Sequence, residues 1–151
     1  MYNEDTITFE EVLPAPVETV WDLILNDRSG WWPQLDFEPR SGATLKDQWI
    51  SGSAGRPAWI ATGIVLGIDE NGTAENPQAK QLRFRWAQPG WGAETRVSIT
   101  VEPGPDGADV NTKLTIVETD FVQLARGIEQ VIRNHRDWES HLTDLKKALA
   151  A

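Results

Sequence analysis

The chain of 151 residues has no cysteine, two histidines, one tyrosine and one methionine. Without cysteine there is no disulfide, no thiolate nucleophile and no zinc site built on sulfur. His135 and His141 stand six residues apart, about 120° around a helix, so they do not make a metal pair by themselves. No apolar run approaches the ~20 residues of a bilayer span, and the polar, acidic stretch Met1 to Glu11 is unlike a signal peptide. Cations are scarce as well: 14 Lys and Arg against 23 Asp and Glu leave a formal charge of −9. That field repels phosphate backbones and anionic lipid, so neither nucleic acid nor a membrane is an expected partner. A cytoplasmic location is the expectation.

What is present is ordinary for a soluble domain, with 40% hydrophobic and 25% charged residues. The length suits one domain over 1–151 with one core. The unusual feature is eight tryptophans against four phenylalanines. Rings of that size fill a core or line a cavity for a flat apolar ligand.

Residues 121 to 150 organise the rest. Leu124, Ile128, Val131, His135, Trp138, Leu142, Leu145 and Leu149 follow at alternating steps of four and three, one stripe on a helix. Arg126, Glu129, Arg133, Arg136, Glu139, Asp144, Lys146 and Lys147 make the wet face. Such a helix, roughly 45 Å long and capped by Thr119 or Asp120, needs something broad and apolar beneath it.

The preceding chain supplies strands. Thr6 to Leu13 reads as the first, ended by Pro14-Ala15-Pro16. Val17, Val20, Trp21, Ile24 and Leu25 form an amphipathic helix with Pro16 at its start. Trp31-Trp32-Pro33 reads as a short second helical turn. Leu35 to Pro39 and Thr44 to Ile50 are short strands, and residues 51–57 a loop of small residues. Trp59 to Ile68 is a firm strand whose inward face is undecided: Ile60, Ile64 and Ile68 oppose Trp59, Ala61, Gly63 and Val65. Asp69 to Ala79 is a long polar connection. Gln81 to Trp86, Thr95 to Glu102 and Val110 to Glu118 alternate cleanly, with Leu82, Phe84, Val97, Ile99, Leu114 and Ile116 inward and Arg83 and Arg85 outward. Short turns join them, so an antiparallel meander with one dry face follows, and the fold class is α+β.

This order, with Pro14-Ala15-Pro16-Val17-Glu18-Thr19-Val20-Trp21-Asp22, Trp31-Trp32-Pro33, Leu82-Arg83-Phe84-Arg85-Trp86 and the closing Trp138, Leu142, Leu145 and Leu149, resembles the START-like (SRPBCC, helix-grip) superfamily. More closely, it is similar to bacterial proteins grouped with the C-terminal domain of the activator of Hsp90 ATPase. Gly42-Ala43 and Asp137-Trp138 depart from the paired glycines and the Gly-Trp usual there. The resemblance implies a helix-grip fold: a curved antiparallel sheet of six to seven strands wrapped around a long C-terminal helix, with two short helices after the first strand. It also implies a cavity open at one end, where relatives bind lipids, sterols or polyketides.

No catalytic constellation is apparent. Asp137 with His141 and His135 with Glu139 stand at i, i+4, spacing that also suits plain surface pairs. His135 interrupts the apolar stripe, as a hydrogen-bonded core histidine does. Asp69-Glu70-Asn71-Gly72-Thr73-Ala74-Glu75 misplaces its glycine for a calcium loop, and Gly52-Ser53-Ala54-Gly55 lacks the lysine of a phosphate loop. No metal, cofactor or catalytic residue is assigned. The first expectation is a binding protein for a small hydrophobic molecule, in a cavity lined by Phe37, Trp49, Trp86, Ile99, Leu114, Phe121, Leu124, Ile128 and Ile132. The second is a protein-interaction module, conceivably for a chaperone, using Trp31, Trp32 and Trp91. A cyclase or hydrolase acting in the same cavity ranks third. An open cavity of several hundred Å3 on the named residues favours the first; a filled core favours the second.

Overall fold

A computed structural model describes residues 5–50 and 57–150, with only the backbone described at 49, 50 and 57–59. The residues expected to form the small-residue loop, 51–56, lie outside the described set. The elements are β1 (Ile7–Leu13), α1 (Val17–Leu25), β2 (Leu35–Phe37), β3 (Thr44–Ile50), β4 (Pro57–Asp69), β5 (Lys80–Ala87), β6 (Thr95–Pro103), β7 (Thr112–Thr119) and α2 (Gly127–Ala150).

The strands make one curved antiparallel sheet in the order β1-β7-β6-β5-β4-β3-β2. Strict alternation decides which residues face the helices. Leu82, Phe84 and Trp86 of β5, Val97, Ile99 and Val101 of β6, and Leu114 and Ile116 of β7 are buried. On β4 the small-residue side turns inward through Ala61 and Val65, while Leu66 is exposed. The register slips between Val65 and Gly67, a bulge at Leu66 that bends the strand. Gly63 lets β5 come close: a Cβ there would overlap the Arg85 carbonyl.

Between β1 and β2 there is one helix, not two. Trp31 and Trp32 donate their backbone N–H groups to the Arg28 carbonyl, closing a turn that goes no further. Arg28 is the reason: its guanidinium donates to the carbonyls of Ile24 and Leu25 at the end of α1 and of Leu35 in β2, and sits 4.1 Å from the centre of the Phe37 ring. The turn is thereby tied to both neighbours and its path is set by that cation.

The long helix is shorter at its start than the stripe suggested. Residues 121–123 form a single 3-10 turn, Leu124 is extended, and Asp120 and Arg126 have left-handed backbone, φ 78° and 58°. Neither Thr119 nor Asp120 therefore caps α2, which begins at Gly127, where any side chain would strike the Phe121 carbonyl. Its 24 residues span about 36 Å. The buried set is Val131, Asn134, Trp138, His141, Leu142 and Leu145, so the helix is rolled toward Asn134 and His141. That roll leaves His135 half-buried against Phe9, with Nδ1 2.7 Å from Glu139, and puts Ile128 out at 56% exposure.

The sheet, α1 and α2 share one hydrophobic cluster. Leu145 is its clearest anchor on α2, fully buried. Replacing it with alanine is expected to lower unfolding stability by about 3 kcal/mol in urea denaturation. Val12→Ala, on an exposed β1 position, should change it by less than about 0.5 kcal/mol. Equal losses from the two variants would mean the cluster is not as drawn.

Candidate functional site

The centre of the molecule holds a carboxyl group. Glu118 follows Leu114 and Ile116 in the alternation of β7, so it points inward, and it is 0% exposed. Trp86 of β5 (2.8 Å) and Thr95 of β6 (2.6 Å) donate to Oε2, and Trp138 of α2 (2.8 Å) donates to Oε1. The Asn134 amide, one helical turn before Trp138, reaches both oxygens at 3.2 Å. Burial holds the Glu118 carboxyl above the ordinary carboxylate range, while its four donors pull in the opposite direction.

Beside it stands a stack of rings. Trp32 lies edge-on to Trp138 and Trp86, with centroids 5.3 and 6.1 Å apart, and face to face with His141 at 3.8 Å. Its indole N–H donates to Asp47 on β3, itself 1% exposed. Burial lowers the His141 imidazole to about 4, so it is neutral at physiological pH. Asp137, one turn earlier, is raised by burial; Arg133 opposes that shift and Glu118 adds to it.

Among the described residues the rings pack against one another in the interior. Among the described residues, the sizeable hollows open at the surface. One is a cleft of about 450 Å3 between the 29–34 turn and α2, lined by Ser29, Gly30, Trp31, Pro33, Gln34, Asp137, Ser140, His141 and Asp144. Asp137 and His141 also border a niche of about 10 Å3, which they share with Asp47, Trp86, Gln88, Asn134 and Trp138. That volume is close to the least that admits one water.

Six of the residues expected to line an apolar cavity meet in the one hydrophobic cluster. Phe37, Trp86, Ile99, Leu114, Phe121 and Leu124 are buried, Ile132 is partly buried and Ile128 points outward. The Trp49 side chain lies outside the described residues. Of these, Trp86 alone borders a described hollow, the small niche. The tryptophans expected at a partner surface are covered too: Trp31 is 6%, Trp32 0% and Trp91 3% exposed. Sequence reading passed over Glu118, Asp47 and Asn134. The first two continue the alternations Leu114, Ile116 and Leu45; Asn134 sits three residues after Val131 and four before Trp138. Each signal was in the periodicity.

No protein-family profile matches the chain, and no curated protein does. Solved structures match along nearly the whole of it. DynU16, a protein in the dynemicin biosynthetic locus, has TM-score 0.72 at 21% identity over 97% of this chain, which spans about half (48%) of that protein. CalU16 from Micromonospora echinospora gives 0.68 at 18%, covering 95% of this chain and 75% of the other. MLL2253 from Mesorhizobium loti gives 0.70 at 20%, covering 96% of each. This chain has the helix-grip fold. Within the grip, sheet and helix close on Glu118 and the tryptophans instead of on a void of ligand size among the described residues.

Two outcomes follow for the buried groups. Unfolded histidine titrates near 6.5 and His141 near 4, so the folded state loses stability as pH falls through that interval, by about 3 kcal/mol in all. The difference between wild-type and His141→Gln stability, taken by denaturation at each pH, should carry that slope; a flat difference would show that His141 protonates without penalty. Glu118 acts with the opposite sign, since its raised carboxyl loses stability as pH rises above the unfolded value of 4.5. Glu118→Gln sets an amide N–H2 among donors and should cost about 3 kcal/mol near neutral pH, against about 1 kcal/mol for Thr95→Val.

Proposed function

We propose that this chain is a small-molecule-binding helix-grip protein whose ligand lies in the cleft between the 29–34 turn and α2. The supporting observation is the cleft itself: about 450 Å3, within the range of ligand pockets, with the neutral His141 set in its wall. Its lining describes the ligand. Asp137 and Asp144 bring negative charge, Ser29, Ser140 and Gln34 bring hydrogen-bonding groups, and Trp31 and Pro33 bring apolar surface. No lysine or arginine is among the lining residues, which disfavours an anion. The expected ligand is neutral or cationic, carries hydrogen-bond donors and has one flat apolar side. The resemblance to DynU16, from a biosynthetic locus, is in keeping with a small-molecule role.

This reading moves the ligand from the interior to the mouth of the grip. The filled core counts against a molecule held wholly between sheet and helix. A filled core was the outcome expected to favour a protein-interaction role, but Trp31, Trp32 and Trp91 are covered and offer no anchors, which counts against that role in its expected form.

The test is a titration of isotope-labelled protein, followed by NMR, with a panel of aromatic amines, amino sugars, fatty acids and sterols. Saturable shifts on Trp31, Ser140, His141 and Asp144 with amines or amino sugars are expected. Asp144→Asn should weaken a cationic hit about three- to fivefold, as loss of one partly exposed ion pair does. Shifts centred on Ile99, Leu114 and Leu124 with a fatty acid or sterol would return the site to the interior. Silence from every compound would remove the small-molecule reading.

A further inference from the structure

The connection between β4 and β5, residues 70–79, carries the chain's one Asn-Gly pair, Asn71-Gly72, which lies outside the cleft and the buried cluster. Such a pair can react with itself. The backbone nitrogen of the glycine attacks the asparagine carboxamide carbon, and a residue without Cβ leaves that nitrogen open to approach. A fold suppresses the reaction by holding the carboxamide in a hydrogen bond, by engaging the N–H that follows it, or by fixing both in regular or buried backbone.

None of these restraints acts at Asn71. It is exposed and lies in neither a helix nor a strand. Among the described residues its carboxamide has no hydrogen-bond partner, and the Gly72 N–H donates to no acceptor. The closed turn of the connection begins one residue later, where the Thr73 N–H donates to the Asn76 carbonyl. The other described asparagines are all restrained. Asn26 donates to Asp22 at 3.0 Å, and Asn111 donates to Asp106 at 2.8 Å and precedes the branched Thr112. Asn76 accepts the Gln78 N–H at 2.9 Å and precedes Pro77, which has no N–H. Asn134 is buried within α2 and bonded to Glu118.

We propose that Asn71 is a site of spontaneous covalent modification, converting to aspartate and isoaspartate and so loosening the β4–β5 connection from α1. The Gly72 nitrogen bonds to the Asn71 Cγ; its proton and the carboxamide nitrogen leave together as ammonia, and a cyclic imide remains. Water then adds to one of the two imide carbonyl carbons, that carbon's bond to nitrogen breaks, and the nitrogen regains a proton. Opening at Cγ leaves aspartate with the main chain unchanged. Opening at the Asn71 backbone carbon leaves isoaspartate, whose main chain runs through Cβ and Cγ. Water is the only co-reactant.

The position of the pair gives the change its consequence. On one side Glu70 accepts the Trp21 indole N–H from α1 at 3.3 Å, and its carbonyl accepts the Lys80 Nζ at 3.2 Å. On the other, Gly72 lies so close to Pro77 that a Cβ would fall 2.7 Å from the Pro77 carbonyl oxygen. An extra main-chain carbon between these two anchors displaces one of them, and the single exposed-loop hydrogen bond to Trp21 is the weaker restraint.

The experiment incubates the full chain in mildly alkaline buffer at physiological temperature. Intact mass should rise by about 1 Da per molecule as amide becomes acid. Peptide mapping should place the gain at Asn71, with isoaspartate exceeding aspartate. The native rate should stay within roughly tenfold of that of the same chain unfolded in urea, as for an unrestrained surface loop. Asn71→Gln, which closes the ring far less readily, should lose the gain. In the modified sample the Trp21 indole N–H resonance should split into two, whereas Asn71→Asp, which adds the charge without lengthening the main chain, should leave it single. The site is overturned by a native rate more than tenfold below the unfolded one, by a gain mapped to another asparagine, or by an undiminished gain in Asn71→Gln. An unsplit Trp21 resonance in a sample shown to hold isoaspartate would overturn the loosening from α1.

Discussion

The closure of Glu118 by donors from three directions is the constraint on which the rest depends. A carboxyl with no exposed surface is costly unless each oxygen is met, and here the partners come from β5, β6 and α2. Trp86 and Trp138 can satisfy it only if the helix lies at one height and one roll over the sheet. The hydrophobic stripe of α2 tolerates small rotations, because apolar contact has no direction. The hydrogen bonds do not, and they select the roll that brings Asn134 inward and leaves His135 half covered.

That roll explains why the interior is filled. With Trp138 drawn down to Glu118, Trp32 slots against it and stacks on His141, and Asp47 meets the Trp32 indole from β3. Trp32, Trp86, Trp138 and His141 pack with Glu118, Asp47 and Asn134 between sheet and helix. The cost is a group of buried titratable residues whose charges are hard to sustain, Glu118 and His141 foremost. What remains open is displaced to the edge of α2, where the helix and the arginine-anchored turn at 28–34 border the cleft.

Along that edge the helix changes sign, from Arg126 and Arg133 near its start to Asp137 and Asp144 further on. The end turns themselves are charged as the helix dipole favours, with Glu129 in the first and Lys147 in the last. The fold by itself chooses no ligand, since the same architecture hosts many roles.

The sequence by itself determined the order of elements, the antiparallel meander, the inward faces of β5, β6 and β7 and the presence of a long closing helix. Those follow from local periodicity, which a strand or helix obeys whatever it packs against. It also contained, unread, the inward alternation that carries Glu118 and Asp47. The fate of the tryptophans was beyond it: Trp31, Trp32 and Trp91 look alike as anchors or as core, and only contacts between distant segments make them core. The start of α2 at Gly127, the outward turn of Ile128 and the single helix after β1 were likewise settled by tertiary contacts. For the helix after β1 and the roll of α2, a directional bond overrode an apolar pattern: Arg28 to the end of α1, and Asn134 and Trp138 to Glu118. Periodicity says which side of an element is dry, but the geometry of a buried charge decides where that side points.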